Sequence, residues 1–292
     1  MTSGITFAKA DFNAYLQQYT VHKVLHDNNR FNLGSKSIRL AIIDDINSCY
    51  FIYINGAYAG GSIMDKGKIK HPFLLPGYQI YLKDIIQILH KKAAEKADFK
   101  KGIVCLPSDS GQAEIFLMLG YETVRKMRCM IGPLNNFIWN APDGYLLKQP
   151  SESDLKLIAK LFYKANINDP WHQPVTEEGF LRGAVRYFDD NQVDRVPETS
   201  TLCFDIKTGE PVGGCLISID EAYPFVYDLH VLKEHRRKGI ASAMMKKAMS
   251  IMSVQHKFMR LFVIDGNPAG NLYDKLGFIT GNPVYIMNYK LG

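Results

Sequence analysis

The sequence predicts an α/β protein made of two copies of one fold. Three observations carry this. Strand-like and helix-like patterns alternate along the chain. Residues 50–64 (YFIYINGAYAGGSIM) and 202–218 (LCFDIKTGEPVGGCLIS) share one layout: an alternating apolar strand, a tight-turn signal, and a second strand carrying Gly-Gly. Residues 103–121 (IVCLPSDSGQAEIFLMLGY) and 261–278 (LFVIDGNPAGNLYDKLGF) share another: a buried strand, a polar turn, a short helix, then Leu-Gly-aromatic. Gly60-Gly61 precedes Gly213-Gly214 by 153 residues and Gly120 precedes Gly277 by 157, so both blocks repeat in order.

The copies divide where Pro, Asp and Gly cluster in WNAPDGY, residues 139–145. That gives an N-terminal domain over 1–141 and a C-terminal domain over 142–292. The second copy opens with QPSESDLKLIAKL, where Ser151 or Ser153 caps a helix, Asp154 lies in its first turn, and Leu155, Ile158 and Leu161 mark its apolar face. A mixed loop and helix region containing DPWHQP follows to about Arg195. After the hairpin at 202–218 comes a strand over 224–232 (PFVYDLHVL). From Ile240 the apolar positions Ile240, Ala241, Met244, Met245, Ala248, Met249 and Met252 describe a one-faced helix.

Composition narrows the function. With 47% hydrophobic and 22% charged residues in 292, the chain has the balance of a soluble globular protein. It contains no apolar run of about 18 residues to span a membrane, and MTSGITFAKADFN lacks the layout of a secretory signal. The five cysteines, Cys49, Cys105, Cys129, Cys203 and Cys215, are scattered through apolar runs, as expected of free thiols in a reducing cytoplasmic compartment. Neither they nor the eight histidines have metal-ligand spacing, so no metal is expected. The net charge of +6 is dispersed and accompanied by no nucleic-acid motif, so no nucleic-acid partner is expected; it suits a protein that handles a polyanion.

One basic cluster stands out, EHRRKGIASAMM, residues 234–245. Arg236, Arg237 and Lys238 run into Gly239 at the mouth of the predicted helix. Cations at a helix N-terminus oppose its dipole and cost a few tenths of a kcal/mol each. An anion bound to the free N–H groups there would offset that cost, and Gly239 lets a ligand approach the backbone. A solvated surface turn is the other reading of these residues.

The motifs decide between them by resemblance. VLKEHRRKGIA, residues 231–241, resembles motif A of the GNAT superfamily of N-acetyltransferases, with Arg236, Gly239 and Ala241 at the motif positions. NPAGNLYDKLGF, residues 267–278, resembles motif B, with Gly270 where Ala is usual. The resemblance covers roughly residues 145–292. It implies two GNAT-like domains, each a mixed, mostly antiparallel central sheet flanked by helices, with acetyl-CoA as co-substrate. It also implies that Arg236, Arg237, Lys238, Gly239, Ile240 and Ala241 hold the pyrophosphate, that the pantetheine arm lies along Leu229 and Val231, and that Asn267 belongs to the cofactor site.

Acetyl transfer to an amine needs a neutral amine, a stabilised oxyanion and a protonated leaving thiolate. Tyr273 occupies the motif B tyrosine position, which implies a general acid; packing is the alternative for its ring. The Val231 amide is the expected oxyanion donor. YDLHV, residues 227–231, is similar to the stretch that carries an aspartate near the amine in polyamine-type members, although Tyr227 replaces their preceding glutamate. Asp228 is expected to orient an ammonium or relay its proton. Tyr227, His230 and Trp171 are candidate acceptor contacts, with His172 beside Trp171. The acceptor is expected to be a small-molecule amine, and the chain a monomer or homodimer. A non-catalytic acyl-CoA-binding protein is the alternative. In the first copy the motif A position falls near PGYQIYL, without its basic pattern, and the Tyr273 position is Phe116. That copy is therefore expected to be degenerate, leaving one cofactor site.

Overall fold

A computed structural model describes residues 4–26, 42–171, 175–190, 196–220 and 222–291. The chain divides into two compact units, one of residues Met1–Cys129 with Gly281–Gly292, the other of Met130–Thr280. The sequence places its boundary at 141/142. The contacts instead assign Met130 onward to the second unit and the last residues of the chain to the first.

In the first unit the sheet order is β1 (Ile5–Lys9), β2 (Cys49–Ile54), β3 (Ala57–Asp65), β4 (Lys68–Leu74), β5 (Ile103–Leu106) and β12 (Ile279–Tyr289). All neighbours run antiparallel except β4 and β5. Among the described residues its helices are α1 (Phe12–His26), α2 (Leu82–Ala94) and α3 (Ser110–Met118). Asn55 and Gly56 both have positive φ, at 51° and 82°, which lets this two-residue turn close the β2–β3 hairpin with the strands' own twist. The core gathers Ile52, Ile69, Ile85, Ile86, Leu89 and Phe116, all fully buried.

The second unit has the order β6 (Glu122–Pro133, entering the unit at Met130), β11 (Phe258–Ile264), β10 (Tyr223–Val231), β9 (Pro211–Asp220), β8 (Thr201–Asp205) and β7 (Tyr145–Lys148). Its helices are α4 (Leu155–Asn166), α5 (Glu177–Asp190), α6 (Ile240–Met252) and α7 (Gly270–Lys275). Ser151 forms the capping box before α4, its N–H donating to Asp154 Oδ2 at 2.8 Å. The predicted apolar face of α6 is the buried one: Met244, Met245, Ala248 and Met249 are fully buried against β9, β10 and β11 residues, while Ala241 is only partly buried. Each buried methionine contributes roughly 1.5–3 kcal/mol of transfer free energy. On the other side of the sheet, α4 and α5 bury Ile158, Phe162, Tyr187 and Phe188 against Leu202 and Leu216.

The two units match down to single hydrogen bonds. Gly60 and Gly61 pair with Leu74 and Phe73; Gly213 and Gly214 pair with Val231 and His230. Leu75 donates to the Ala59 carbonyl as Leu232 donates to that of Val212. The change of offset from 153 to 157 is thereby located in the hairpins that follow the Gly-Gly strands. Both short helices end in the same motif. Gly120 and Gly277 take φ of 89° and 87°, and Tyr121 and Phe278 donate back to the carbonyls of Phe116 and Tyr273.

Candidate active site

The site is built around β10. Its bond to β9 at Leu232 sets the phase of the ladder: the Leu232 N–H donates to the Val212 carbonyl at 2.9 Å. In an antiparallel pair bonded and unbonded positions alternate. With Val231 opposite Gly213 and Leu229 opposite Cys215, the backbone groups of His230 and Asp228 turn toward β9. Those of Leu229 and Val231 therefore turn the other way, toward β11. There β10 and β11 share one register pair, Phe225 beside Arg260, well before Leu229. The edge of β10 over Leu229–Val231 thus offers main-chain donors and acceptors to a gap inside the unit.

A register shift between Val226 and Asp228 sorts the side chains around this edge. Val226, Leu229 and Val231 pack with α6 and Tyr273. Tyr227 instead faces α4 and α5, its ring 5.2 Å from that of Tyr187 and its hydroxyl donating to the Gly183 carbonyl at 3.4 Å. Asp228 and His230 share one face, as strand alternation requires, and His230 Nε2 lies 3.1 Å from Asp228 Oδ1. The Asp228 side chain is 34% exposed and that of His230 7%.

Tyr273 comes from α7 on the opposite side. Asn267 shapes the entry to α7: its side-chain oxygen accepts the Ala269 N–H at 2.9 Å and its carbonyl accepts the Gly270 N–H. The ring of Tyr273 packs on Phe278 at 5.9 Å, the apolar contact that accompanies this helix end. Burial pushes its phenol well above the usual value, and the Cys215 and Asp228 groups raise it further. The phenol therefore holds its proton at neutral pH. Cys215, fully buried opposite Leu229, is pushed up to about 12, mainly by burial, so it offers no thiolate nucleophile.

The loop from Arg236 to Ile240 closes one end of the gap. Arg237 and Gly239 have left-handed φ of 67° and 82°, and Gly239 is the N-cap of α6, whose first amides have no side-chain cap. A Cβ on Gly239 would meet nothing closer than Pro142 Cγ at 3.7 Å, so the loop is open on that side. The Arg236 side chain turns back into the protein. Its Nε donates to the Val231 carbonyl and its Nη2 to Ala165 O and Asp169 Oδ2, each at 3.0 Å. Asp169 Oδ1 in turn accepts the Trp171 N–H at 3.1 Å. The Trp171 ring lies over Gly266, 3.3 Å from where a Cβ would stand, so the 169–171 segment reaches both lips of the gap. His172 lies outside the described residues.

Along β10 the structure places Leu229 and Val231 with Tyr273 on the α6 side and Asp228 with His230 on the other face, while Arg237, Lys238 and Gly239 lead into α6 at Ile240 and Ala241. It sets Tyr227 and the Arg236 guanidinium on protein partners. Sequence reasoning missed Asn166, Asp169 and Gln112. The first two stand next to an otherwise unremarkable helix end, with no motif to single them out.

The first unit has the same strand positions and a different gap. Pro72 occupies the place of Leu229 and has no N–H. Its carbonyl accepts from Ser108 Oγ at 3.1 Å and Gln112 Nε2 at 2.9 Å. Phe116, fully buried, stands where Tyr273 stands. Among the described residues no group of three or more His, Cys, Asp or Glu is placed to hold a metal, and no helix is long and apolar enough to cross a membrane.

Residues 166–278, within the second unit, match the model of the acetyltransferase (GNAT) family. No curated protein matches the chain. Among solved structures, a GCN5-related N-acetyltransferase from Sphaerobacter thermophilus superposes with a TM-score of 0.71 at 15% identity, over 98% of this chain and 95% of that one. A GNAT-family acetyltransferase from Colwellia psychrerythraea gives 0.61 at 11%, over 98% and 99%. A tandem GNAT protein from the clavulanic acid biosynthesis pathway gives 0.55 at 12%, over 97% of each chain. At such identities the likeness speaks for the fold, a GNAT-like α/β arrangement of mixed sheet and helices.

Proposed function

We propose that the chain transfers an acetyl group from acetyl-CoA to a primary amine, in a ternary complex formed at the gap beside β10 of the second unit. The observation that carries this reading is the edge of β10, whose Leu229 and Val231 backbone groups face a gap ending in the left-handed loop at Arg237 and Gly239. An extended amide-bearing chain can pair with such an edge, and a pyrophosphate can sit on the uncapped amides at the start of α6. The family match over 166–278 supports acetyl-CoA as the occupant.

When bound, acetyl-CoA supplies an acyl group activated as a thioester. The residues of this chain have four tasks. The backbone from Arg237 to Ala241 holds the anionic end, with Arg236 fixing the loop by its three internal bonds. Leu229 and Val231 align the chain of the donor, and the Val231 N–H is directed to where negative charge develops on the acyl oxygen. Asp228, the exposed carboxylate at the lip, receives the ammonium and takes its proton, directly or through water. Tyr273, kept protonated by burial, donates to the departing sulfur. No thiol is available as an acyl carrier, because all five cysteines are buried. We further propose that the acceptor is a small molecule and that the first unit is a degenerate copy, its gap filled by Ser108 and Gln112.

The test is incubation with acetyl-CoA and a panel of primary amines, read by free-thiol release and by mass. Amine-dependent thiol release with a product heavier by one acetyl group is expected. CoA binding with no product from any amine would leave only an acyl-CoA-binding protein.

A further inference from the structure

We propose that Asn166 and His230 are positioning residues for Asp228. Asn166 locks His230 as the neutral Nε2–H tautomer, so the imidazole donates to Asp228 and does not take the amine's proton. This inference rests on the acetyl-transfer reading for its meaning, though not for its test.

The tautomer follows from one carbonyl. Asn166 Nδ2 lies 2.7 Å from the Phe162 carbonyl. A carbonyl only accepts, so the amide end there is NH2. The same nitrogen lies 3.1 Å from His230 Nδ1. Its two hydrogens thus serve two acceptors, and Nδ1 presents a lone pair. A neutral imidazole carries one N–H. It therefore sits on Nε2, 3.1 Å from Asp228 Oδ1, and donates to that carboxylate.

The same contacts oppose an imidazolium. A proton on Nδ1 would point at the NH2 of Asn166. Turning the amide over would relieve that clash, but would set Asn166 Oδ1 against the Phe162 carbonyl. Oδ1 itself is buried without a hydrogen-bond partner, so the amide is oriented by its nitrogen alone. The Phe162 ring of α4 lies tilted 4.4 Å from the imidazole and Phe180 of α5 lies 5.9 Å away. Asp228 on the same strand meets the ring, and its charge also reaches Cys215 of β9 and Tyr273 of α7.

The consequence is a division of labour along β10. His230 is nearly closed to solvent and Asp228 is open. A neutral donor behind the carboxylate fixes one oxygen and leaves the other for the ammonium. An imidazolium there would neutralise Asp228 and weaken its hold on a cationic acceptor.

The experiment is nitrogen NMR of the chain labelled at histidine, with no acyl donor present. The His230 signal is identified by its loss in His230→Gln. The expected spectrum shows Nδ1 unprotonated and Nε2 protonated. In Asn166→Asp a carboxylate replaces the amide and accepts from Nδ1–H, and the second protonation of His230 moves up by about one pH unit or more. An Nδ1–H tautomer in the native chain, or the same titration in both proteins, overturns the proposal. Should Asn166→Asp not fold, the native spectrum decides alone: an Nδ1–H signal, or two protonated ring nitrogens on His230 at neutral pH, overturns the proposal. The spectroscopic result holds whether or not the chain acetylates amines, so the two readings fail separately.

Discussion

Replacing Arg236 should cost more than removing the charge it pairs with. Arg236 is 41% exposed at its side chain, and Asp169 is 5% exposed. Arg236→Met keeps the aliphatic stem but takes the guanidinium from the buried Asp169 carboxylate and deprives the Val231 and Ala165 carbonyls of a donor. Removing one partner of a buried ion pair costs about 3–5 kcal/mol. Water reaches the half-open guanidinium site, which places the value near the low end, about 3 kcal/mol. Asp169→Asn keeps the oxygen that accepts the Trp171 N–H and leaves Arg236 with two carbonyls and solvent. It loses one charge-assisted bond, about 1–1.5 kcal/mol. The double variant should cost less than the sum of the two, because both single changes remove the same Arg236–Asp169 bond. Urea unfolding followed by tryptophan fluorescence reads this directly, since both tryptophans, Trp139 and Trp171, belong to the second unit. Equal costs, or a larger cost for Asp169→Asn, would refute an Arg236 that turns inward.

Further outcomes follow from the same geometry. Gly270→Ala meets nothing within 4 Å at the first turn of α7, so it should raise the urea midpoint by about 0.5–1 kcal/mol of stability; a loss would mean that the turn depends on glycine. Thiol reagents should label essentially none of the five buried cysteines until denaturant is added. Cys49, Cys203 and Cys215 are raised from 9.0 to about 12 in the folded chain, so the native state keeps protons that the unfolded chain loses. Stability should therefore be full below about pH 9 and fall as pH rises toward 12, which alkaline unfolding curves would show. Calorimetric titration should find one CoA per chain; two would mean that the Ser108 and Gln112 bonds to Pro72 do not fill the first gap.

Local signals carried the elements and the motif positions. The methionine periodicity marked the buried face of α6, and Gly239 marked its start, because both depend on residues adjacent in sequence. Tyr273 was legible for the same reason, three residues before the Leu-Gly-Phe that ends its helix. What the sequence hid depends on partners far along the chain. Asn166 meets His230 across 64 residues and Arg236 meets Asp169 across 67, and no spacing rule announces either. The shift at Tyr227, which turns that ring away from Val226 and Leu229, is a property of pairing with β9 and not of the residue itself. The contact division differs from the boundary read in the sequence for a related reason. A turn-rich stretch such as WNAPDGY marks a break in regular structure, whereas the membership of β12 in the first unit is decided by its register with Ile103–Cys105, which its own sequence does not encode.

The most direct test of acetyl transfer at the β10 gap compares the native chain with Tyr273→Phe, measuring both CoA affinity and amine-dependent thiol release. The ring and its contact with Phe278 survive the change, and only the buried hydroxyl is lost. CoA affinity should hold within a few-fold while kcat falls by about 10²–10⁴, the loss expected for a missing general acid. Equal turnover in the two proteins would contradict Tyr273 as the acid, and no amine-dependent turnover in either would contradict the enzyme itself.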